Sequence, residues 1–206
     1  MNGAVAKGVT PLSGSIRETI PVEAARDIVK LILKMDPAVR ITVELEGFEF
    51  GCNAQLDPDT LWQINSATLE MVLTLEKAFA RIPSKISVNG LGRDLSLIAH
   101  EISTQFSNSI SVIPSDSMKF LNILSVKASK PVALRYLLNS RGIPLDNVVA
   151  FGDDIPDIEM LASCGISIAV SNAIPEVVAI AKYHTVSNND DGVAVVLEQI
   201  FRTKKT

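Results

Sequence analysis

Cysteine, histidine and long runs of one kind of charge are scarce here, and each scarcity removes a class of function. The two cysteines, Cys52 and Cys164, stand far apart with no metal-ligand spacing around them. That excludes a zinc framework and fits small buried apolar side chains in a reducing compartment. The two histidines, His100 and His184, sit in no motif; neither is placed as a general base, and His100 reads as an ordinary helix residue. Basic residues gather only in the Arg202, Lys204, Lys205 tail of a chain whose net charge is -4. A track for nucleic-acid phosphates is therefore not expected. No stretch approaches the roughly 18 apolar residues of a membrane span. The start shows no charged segment leading into an apolar run and a cleavage site. These absences predict a cytoplasmic protein with neither a nucleic-acid nor a membrane partner.

What is present is apolar and patterned. With 47% apolar and 20% charged residues over 206 positions, the chain can bury one sizeable core or two modest ones. Its character changes near residue 120. Beyond it, a helix from Pro131 to about Arg141, a strand Val148 to Phe151, a helix from about Asp157 to Ser163, a strand Ile166 to Val170, a helix around Glu176 to Ala181, a short strand near Tyr183 to Val186 and a last helix after Gly192 follow in turn. Short apolar strands separated by helices predict a parallel sheet with covered faces. From 16 to 120, helical patterns at 21–34, 60–80 and 92–106 alternate with strand-like runs "RITVELEG", "FEFGCN", "KISVNG", "SISVIP" and "MKFLNIL". Several of these alternate polar and apolar residues as a sheet with one buried face does. Pairs of runs meeting at Gly47 and around Pro114 to Asp116 read as hairpins. "NGAVAKGVTPLSG" reads as a further hairpin at the start.

The stretch "NVVAFGDDIPDIEMLASCG" raises the chemical question, because Asp153, Asp154 and Asp157 follow directly on a buried strand. In a parallel sheet the loops at the carboxyl ends of strands converge into a crevice, and Gly152 permits a tight turn into it. Clustered carboxylates repel, so they need solvent or a cation, and magnesium suits an oxygen-rich site. Helix capping by Asp154 or Asp157 is the plainer reading, and accounts for one or two of the three acids. Lys130 precedes Pro131, a favoured first helical residue, so its ammonium sits near the positive end of a helix. An anion beside it would compensate, as in a site that binds a phosphoryl group; a solvated lysine losing about a few tenths of a kcal/mol is the plainer alternative.

Taken together, "NGA", "SKPVALRYLL", "VVAFGDDIPDIEML" and "ISIAVSNAIPEVVAIAKYHTVSNNDDGVAVVL" resemble, in order and spacing, the haloacid dehalogenase-like hydrolases of the Cof type, chiefly sugar-phosphate and related phosphatases. The resemblance covers nearly the whole chain and is specific from 129 to 193. It implies an α/β fold: an incomplete Rossmann-like three-layer core with an inserted α+β cap domain. Residues 1–15 would be an N-terminal hairpin of the core, 16–120 the cap and 121–206 the core itself. Lys130 would stabilise the nucleophilic aspartate and the transferring phosphoryl group, Asp153 and Asp157 would hold or support Mg2+, and Asn172 would lie near the phosphate. Asp154 falls at a variable position. Two residues depart from the family's usual pattern, Pro156 where asparagine is common and Pro131 where glycine is.

The same resemblance predicts an opening strand with two aspartates two residues apart, the first attacked by phosphate, and then a strand ending in Ser or Thr. This sequence begins at "MNGA", in the place that follows that second strand. The D-x-D pair Asp57 and Asp59 lies within the cap region, where Pro58 and Asp59 read as a helix start. The expectation is a magnesium-dependent phosphatase acting on a small phosphorylated metabolite, lacking its nucleophile segment and inactive in this form. The other expectation is a noncatalytic metal- or phosphate-binding subunit. Apolar edges left open in the core sheet would suit a homo-oligomer or a missing N-terminal partner segment.

Overall fold

The computed structural model describes residues 3–7, 15–63 and 66–202. They fall into two compact units, the first made of residues 3–7 and 15–129, the second of residues 130–202.

The first unit is built on a six-stranded sheet. Its strands β3 (Arg40–Glu44), β4 (Phe50–Cys52), β5 (Val72–Thr74), β6 (Lys85–Asn89), β7 (Ile110–Ser115) and β8 (Phe120–Ser125) lie in the order β5-β4-β3-β6-β8-β7. Alternation along β3 sends Ile41 and Val43 to one face and Arg40, Thr42 and Glu44 to the other, as a pleated strand requires. Ile86 and Val88 of β6 and Leu121 and Ile123 of β8 join the apolar face. It packs against Ile28, Val29 and Ile32 of α1 (Val22–Met35) and Ile98, Ala99 and Ile102 of α4 (Ser96–Gln105). The hairpins expected at Gly47 and near Pro114 are both present, pairing β3 with β4 and β7 with β8 antiparallel. Gly47 turns its hairpin at φ 95°, in the left-handed region that glycine enters without steric cost.

Three expectations are corrected. The helix expected over 60–80 is instead α2 (Pro58–Gln63), a 3-10 turn at Leu69–Met71, the strand β5 and the short helix α3 (Leu75–Ala78). Backbone pairing of Val72, Leu73 and Thr74 with Phe50, Gly51 and Cys52 outweighs the local helical pattern. The change of unit falls at 129/130 rather than 120, because β8 is held between β6 and β7 in the sheet. The opening strand β1 (Val5–Lys7) pairs with β2 (Ser15–Arg17), and Ala4 is buried with Leu124 and Ala128, so the hairpin strands group with the first unit. The expected hairpin turn lies outside the described residues.

The second unit is an α/β core. Strands β9 (Val149–Gly152), β10 (Ile166–Val170) and β11 (Tyr183–Thr185) are parallel in the order β11-β10-β9. They are connected by α6 (Ile158–Ser163) and α7 (Pro175–Ile180), and α5 (Lys130–Asn139) and α8 (Gly192–Arg202) flank the series in sequence. The strands were expected at these places because each is a short β-rich run bounded by helix signals. Their core is small: Leu145, Ala150, Leu161, Cys164, Ala169 and Val177. Together the units make a Rossmannoid α/β core with an inserted β-sheet cap domain. Among the described residues no helix is long and apolar enough to cross a membrane.

Backbone approaches are closest at Gly165, where a Cβ would stand 1.7 Å from the carbonyl oxygen of Asp146. Neither atom can swing aside. Gly165→Ala is expected to cost about 3 kcal/mol, the upper end of ordinary overpacking. Urea denaturation followed by a probe in the second unit measures this, and a midpoint equal to that of the parent protein would refute it.

Candidate active site

Because β9, β10 and β11 run parallel, their carboxyl ends lie on one edge of the sheet. Asp153 follows β9, Asn172 lies two residues past β10, and Ser187 two past β11. This is where loops converge in an open α/β sheet. The edge is tied laterally by the backbone: the Ile174 amide donates to the Asp153 carbonyl at 2.9 Å. Asn172 Oδ1 accepts from Ser187 Oγ at 3.0 Å and from the Asn188 amide at 3.1 Å. Asn172 thus spends its carbonyl oxygen on loop structure and keeps its amide NH2 free of any described partner.

Asp157 organises the centre. It is 8% exposed, and both its oxygens are engaged. Oδ1 takes a charge-assisted hydrogen bond from Lys130 Nζ, and Oδ2 accepts from the Asp153 amide at 3.2 Å. Gly152 makes this possible, since a Cβ there would sit 2.6 Å from Asp157 Cβ and 2.9 Å from Leu161 Cδ1. Asp154 is a cap: its side chain accepts from the Ile155 amide at 2.8 Å, and its carbonyl accepts from the Asp157 amide at 2.9 Å. The plainer reading of Asp154 therefore holds. Pro156 falls within this 3-10 turn, Ile155–Asp157, where its missing N–H costs nothing.

Asp153 is left with a carboxylate turned to solvent. Partial burial pushes its pKa above the ordinary aspartate value; the charge and hydrogen bonding of Asp157 and the charge of Asp154 add to this, and Lys130 pulls the other way. A carboxylate raised in this way is short of positive charge. The magnesium implied by the resemblance fits this deficit in a limited sense. Asp157 is committed to protein partners, so Asp153 is the carboxylate free to face a cation. Among the described residues no cluster of three or more His, Cys, Asp or Glu side chains could hold a metal. Magnesium is often held by one or two carboxylates, with water and substrate phosphate completing its shell. The donor set suits such a shared site and not an all-protein cage.

The structure brings Lys130, Asp153 and Asp157 together and sets Asn172 on the same edge. It leaves out Asp57, whose Oδ1 accepts from the Thr60 amide at 2.9 Å and Oδ2 from Thr60 Oγ1 at 2.6 Å. That is a helix cap in the first unit. His184 lies on β11 with Nε2 3.2 Å from the Val178 carbonyl oxygen. Ser187 was not foreseen; the asparagines that follow it suggest only a turn, and its partner Asn172 is 15 residues away.

A lysine and aspartates at the carboxyl edge of a parallel sheet are what the resemblance to the haloacid dehalogenase-like hydrolases implies. The profile of the family described by that name matches residues 1–197, and the chain belongs to it. A Haemophilus influenzae protein, provisionally named a phosphatase, is 31% identical over 152 residues, covering 73% of this chain and 57% of its own length. The Bacillus subtilis 5-amino-6-(5-phospho-D-ribitylamino)uracil phosphatase YitU is 36% identical over 81 residues, 39% of this chain and 30% of its own. Its Escherichia coli counterpart YbjI is 45% identical over 73 residues, 35% and 27%. The chain thus spans well under two thirds of the curated relatives it matches. A haloacid dehalogenase-like hydrolase from B. subtilis shares the fold at TM-score 0.73 and 23% identity, over 96% of this chain and 76% of that one. A Thermotoga maritima protein does so at TM-score 0.71 and 23% identity, over 96% and 73%.

The raised pKa of Asp153 has a stability consequence with a definite sign. A folded-state pKa above the unfolded value means that the folded protein binds the proton more tightly. Stability therefore falls as pH rises from the unfolded value through the folded one, and the loss is complete at neutral pH. In metal-free buffer Asp153→Asn is expected to raise the Tm at pH 7, with the gain shrinking as pH drops through the carboxylate range. A Tm difference that is flat or grows toward low pH would contradict this.

Proposed function

We propose that this chain serves the hydrolysis of a phosphate monoester of a small metabolite, a sugar phosphate or similar compound, with magnesium as cofactor. The observation that carries the reading is the Lys130–Asp157 ion pair set against the unpaired carboxylate of Asp153 at the carboxyl edge of a parallel sheet. A phosphate dianion needs fixed positive charge and donors in place before it arrives. Asp157 holds the Lys130 ammonium, which keeps two further N–H donors for phosphoryl oxygens. The free NH2 of Asn172 supplies a neutral donor on the same edge. Bound beside Asp153, magnesium would neutralise phosphate charge and polarise a phosphoryl oxygen. Two relatives are named as phosphatases of a ribityl phosphate, which supports a phosphorylated polyol as the substrate class.

The attacking carboxylate is the part that the second unit does not offer in the family's D-x-D pattern. The one D-x-D pair in the sequence is Asp57 and Asp59, and Asp57 is spent on capping α2. In this reading the chain supplies the phosphate-holding and charge-neutralising side, and turnover requires a carboxylate on a further segment. A noncatalytic phosphate-binding subunit is the second reading, favoured by that same commitment of Asp57.

Isothermal titration with inorganic phosphate, with and without magnesium, tests the site. Magnesium-dependent binding is expected, weakened at least tenfold in Lys130→Met and in Asp153→Asn. Failure of the parent protein to bind phosphate in either condition sinks the proposal. Phosphate release from a panel of sugar phosphates and an aryl phosphate tests the nucleophile. No release is expected from this chain alone, and release only when a strand bearing D-x-D is joined to it. Release by the unsupplemented chain, abolished in Asp153→Asn, would overturn the need for a further segment. Binding without release even after the strand is joined would favour the noncatalytic reading.

A further inference from the structure

The register of β10 and β11 runs on past the strands themselves. Ile168, Ala169 and Val170 lie against Tyr183, His184 and Thr185, and the same offset of 15 residues carries Asn172 to Ser187, where a side-chain hydrogen bond takes the place of the backbone ladder. Of the two, Ser187 is the fixed partner. Its Oγ accepts from the Asn189 amide at 3.1 Å, and its carbonyl oxygen accepts from the Asp190 and Gly192 amides, each at 3.0 Å. Thr185 Oγ1 donates to the Gly192 carbonyl at 2.9 Å. Residues 185–192 are thus tied to one another by short-range bonds, with Ser187 at their centre.

Asn172 is exposed. An exposed asparagine turns broadly about its last torsion, so its oxygen and its NH2 can exchange places. Here the exchange is blocked. The Asn188 amide, 3.1 Å away, can only donate, and an NH2 group cannot accept from it, so the carboxamide oxygen must face the loop. Ser187 Oγ places its hydrogen on that same oxygen at 3.0 Å; Asn188 Oδ1, at 3.4 Å, is the weaker competitor for it. The NH2 is left on the side away from these donors, held in one orientation. A donor ordered before its anion arrives loses less freedom on binding than one that must be ordered by it.

We propose that Ser187 is a positioning residue of the phosphate site: it fixes the Asn172 carboxamide with the NH2 presented as a donor, and touches no phosphoryl oxygen itself. The identity of the anion rests on the phosphatase reading; the ordering of Asn172 by Ser187 does not. Two measurements on the whole protein test it. The side-chain NH2 signals of Asn172, assigned by their loss in Asn172→Ala, report order through the heteronuclear NOE. They are expected to be rigid in the parent protein and in Ser187→Thr, which keeps the hydroxyl, and mobile in Ser187→Ala. Titration with inorganic phosphate in magnesium buffer reads the consequence. Ser187→Ala should weaken binding about three- to tenfold, the range of one neutral hydrogen bond, and Ser187→Thr should restore it. In the Asn172→Ala background Ser187→Ala should weaken it no further, as expected of a residue that acts through Asn172. Losses that add in the double variant, an Asn172 amide as rigid in Ser187→Ala as in the parent, or phosphate binding unchanged in Ser187→Ala would each overturn the proposal while leaving the phosphatase reading in place. No phosphate binding by the parent protein would overturn that reading, and the donor role of Asn172 with it. If Ser187→Ala does not fold, Ser187→Cys, whose thiol is a weak donor, is judged by the same criteria.

Discussion

A lysine at the amino end of a helix meets the positive end of that helix's dipole, and an aspartate buried under a strand terminus loses its hydration. Each placement is unfavourable alone, and the pairing of Lys130 with Asp157 is what makes both tenable. Much of the second unit's edge follows from it. Gly152 must lack a side chain for Asp157 to stand so close, and the Asp153 amide turns inward to satisfy the second oxygen. The Asp153 carboxylate is thereby turned outward. The electrostatic deficit at Asp153 is a product of the same arrangement, since the lysine's charge is largely consumed by its partner.

Legibility from sequence follows the range of the interactions. The three parallel strands of the second unit could be read because each is a short β-rich run between helix signals. Both antiparallel turns of the first unit could be read from Gly47 and from the Pro114 to Asp116 corner. Strand β5 could not, since three residues within a helical-looking stretch carry no period of their own. It exists because β4 offers it an edge. The unit boundary was misplaced for the same reason: Phe120–Ser125 becomes part of the first unit only by pairing on both sides. At the candidate site, residue types and order were legible, whereas the engagement of both Asp157 oxygens and the Asn172–Ser187 link were not. The Lys130–Asp157 and Asn172–Ser187 contacts join residues 27 and 15 positions apart, with no local pattern to announce them.

The two units solve opposite problems with polar groups. In the second, charge is concentrated at strand ends, where loops can rearrange about it. In the first, it is laid across the middle of a sheet, where register fixes each side chain against its neighbour. Placement on strands gives rigid spacing, and placement on loops gives freedom to close around what is bound.

The difference in core size has a consequence for how the molecule opens. The first unit buries a continuous layer of isoleucine, valine and leucine between sheet and helices, whereas the second rests on a small cluster that includes two alanines and a cysteine. Local opening free energies track such burial. Backbone amides around Asp153 and Asn172 belong to the shallower of the two cooperative blocks and should trade their hydrogens with solvent through openings that leave the large sheet closed. A phosphate or a cation held at that edge would act as a clasp on the weaker block, slowing its exchange by mass action while the protected sheet keeps its own pace.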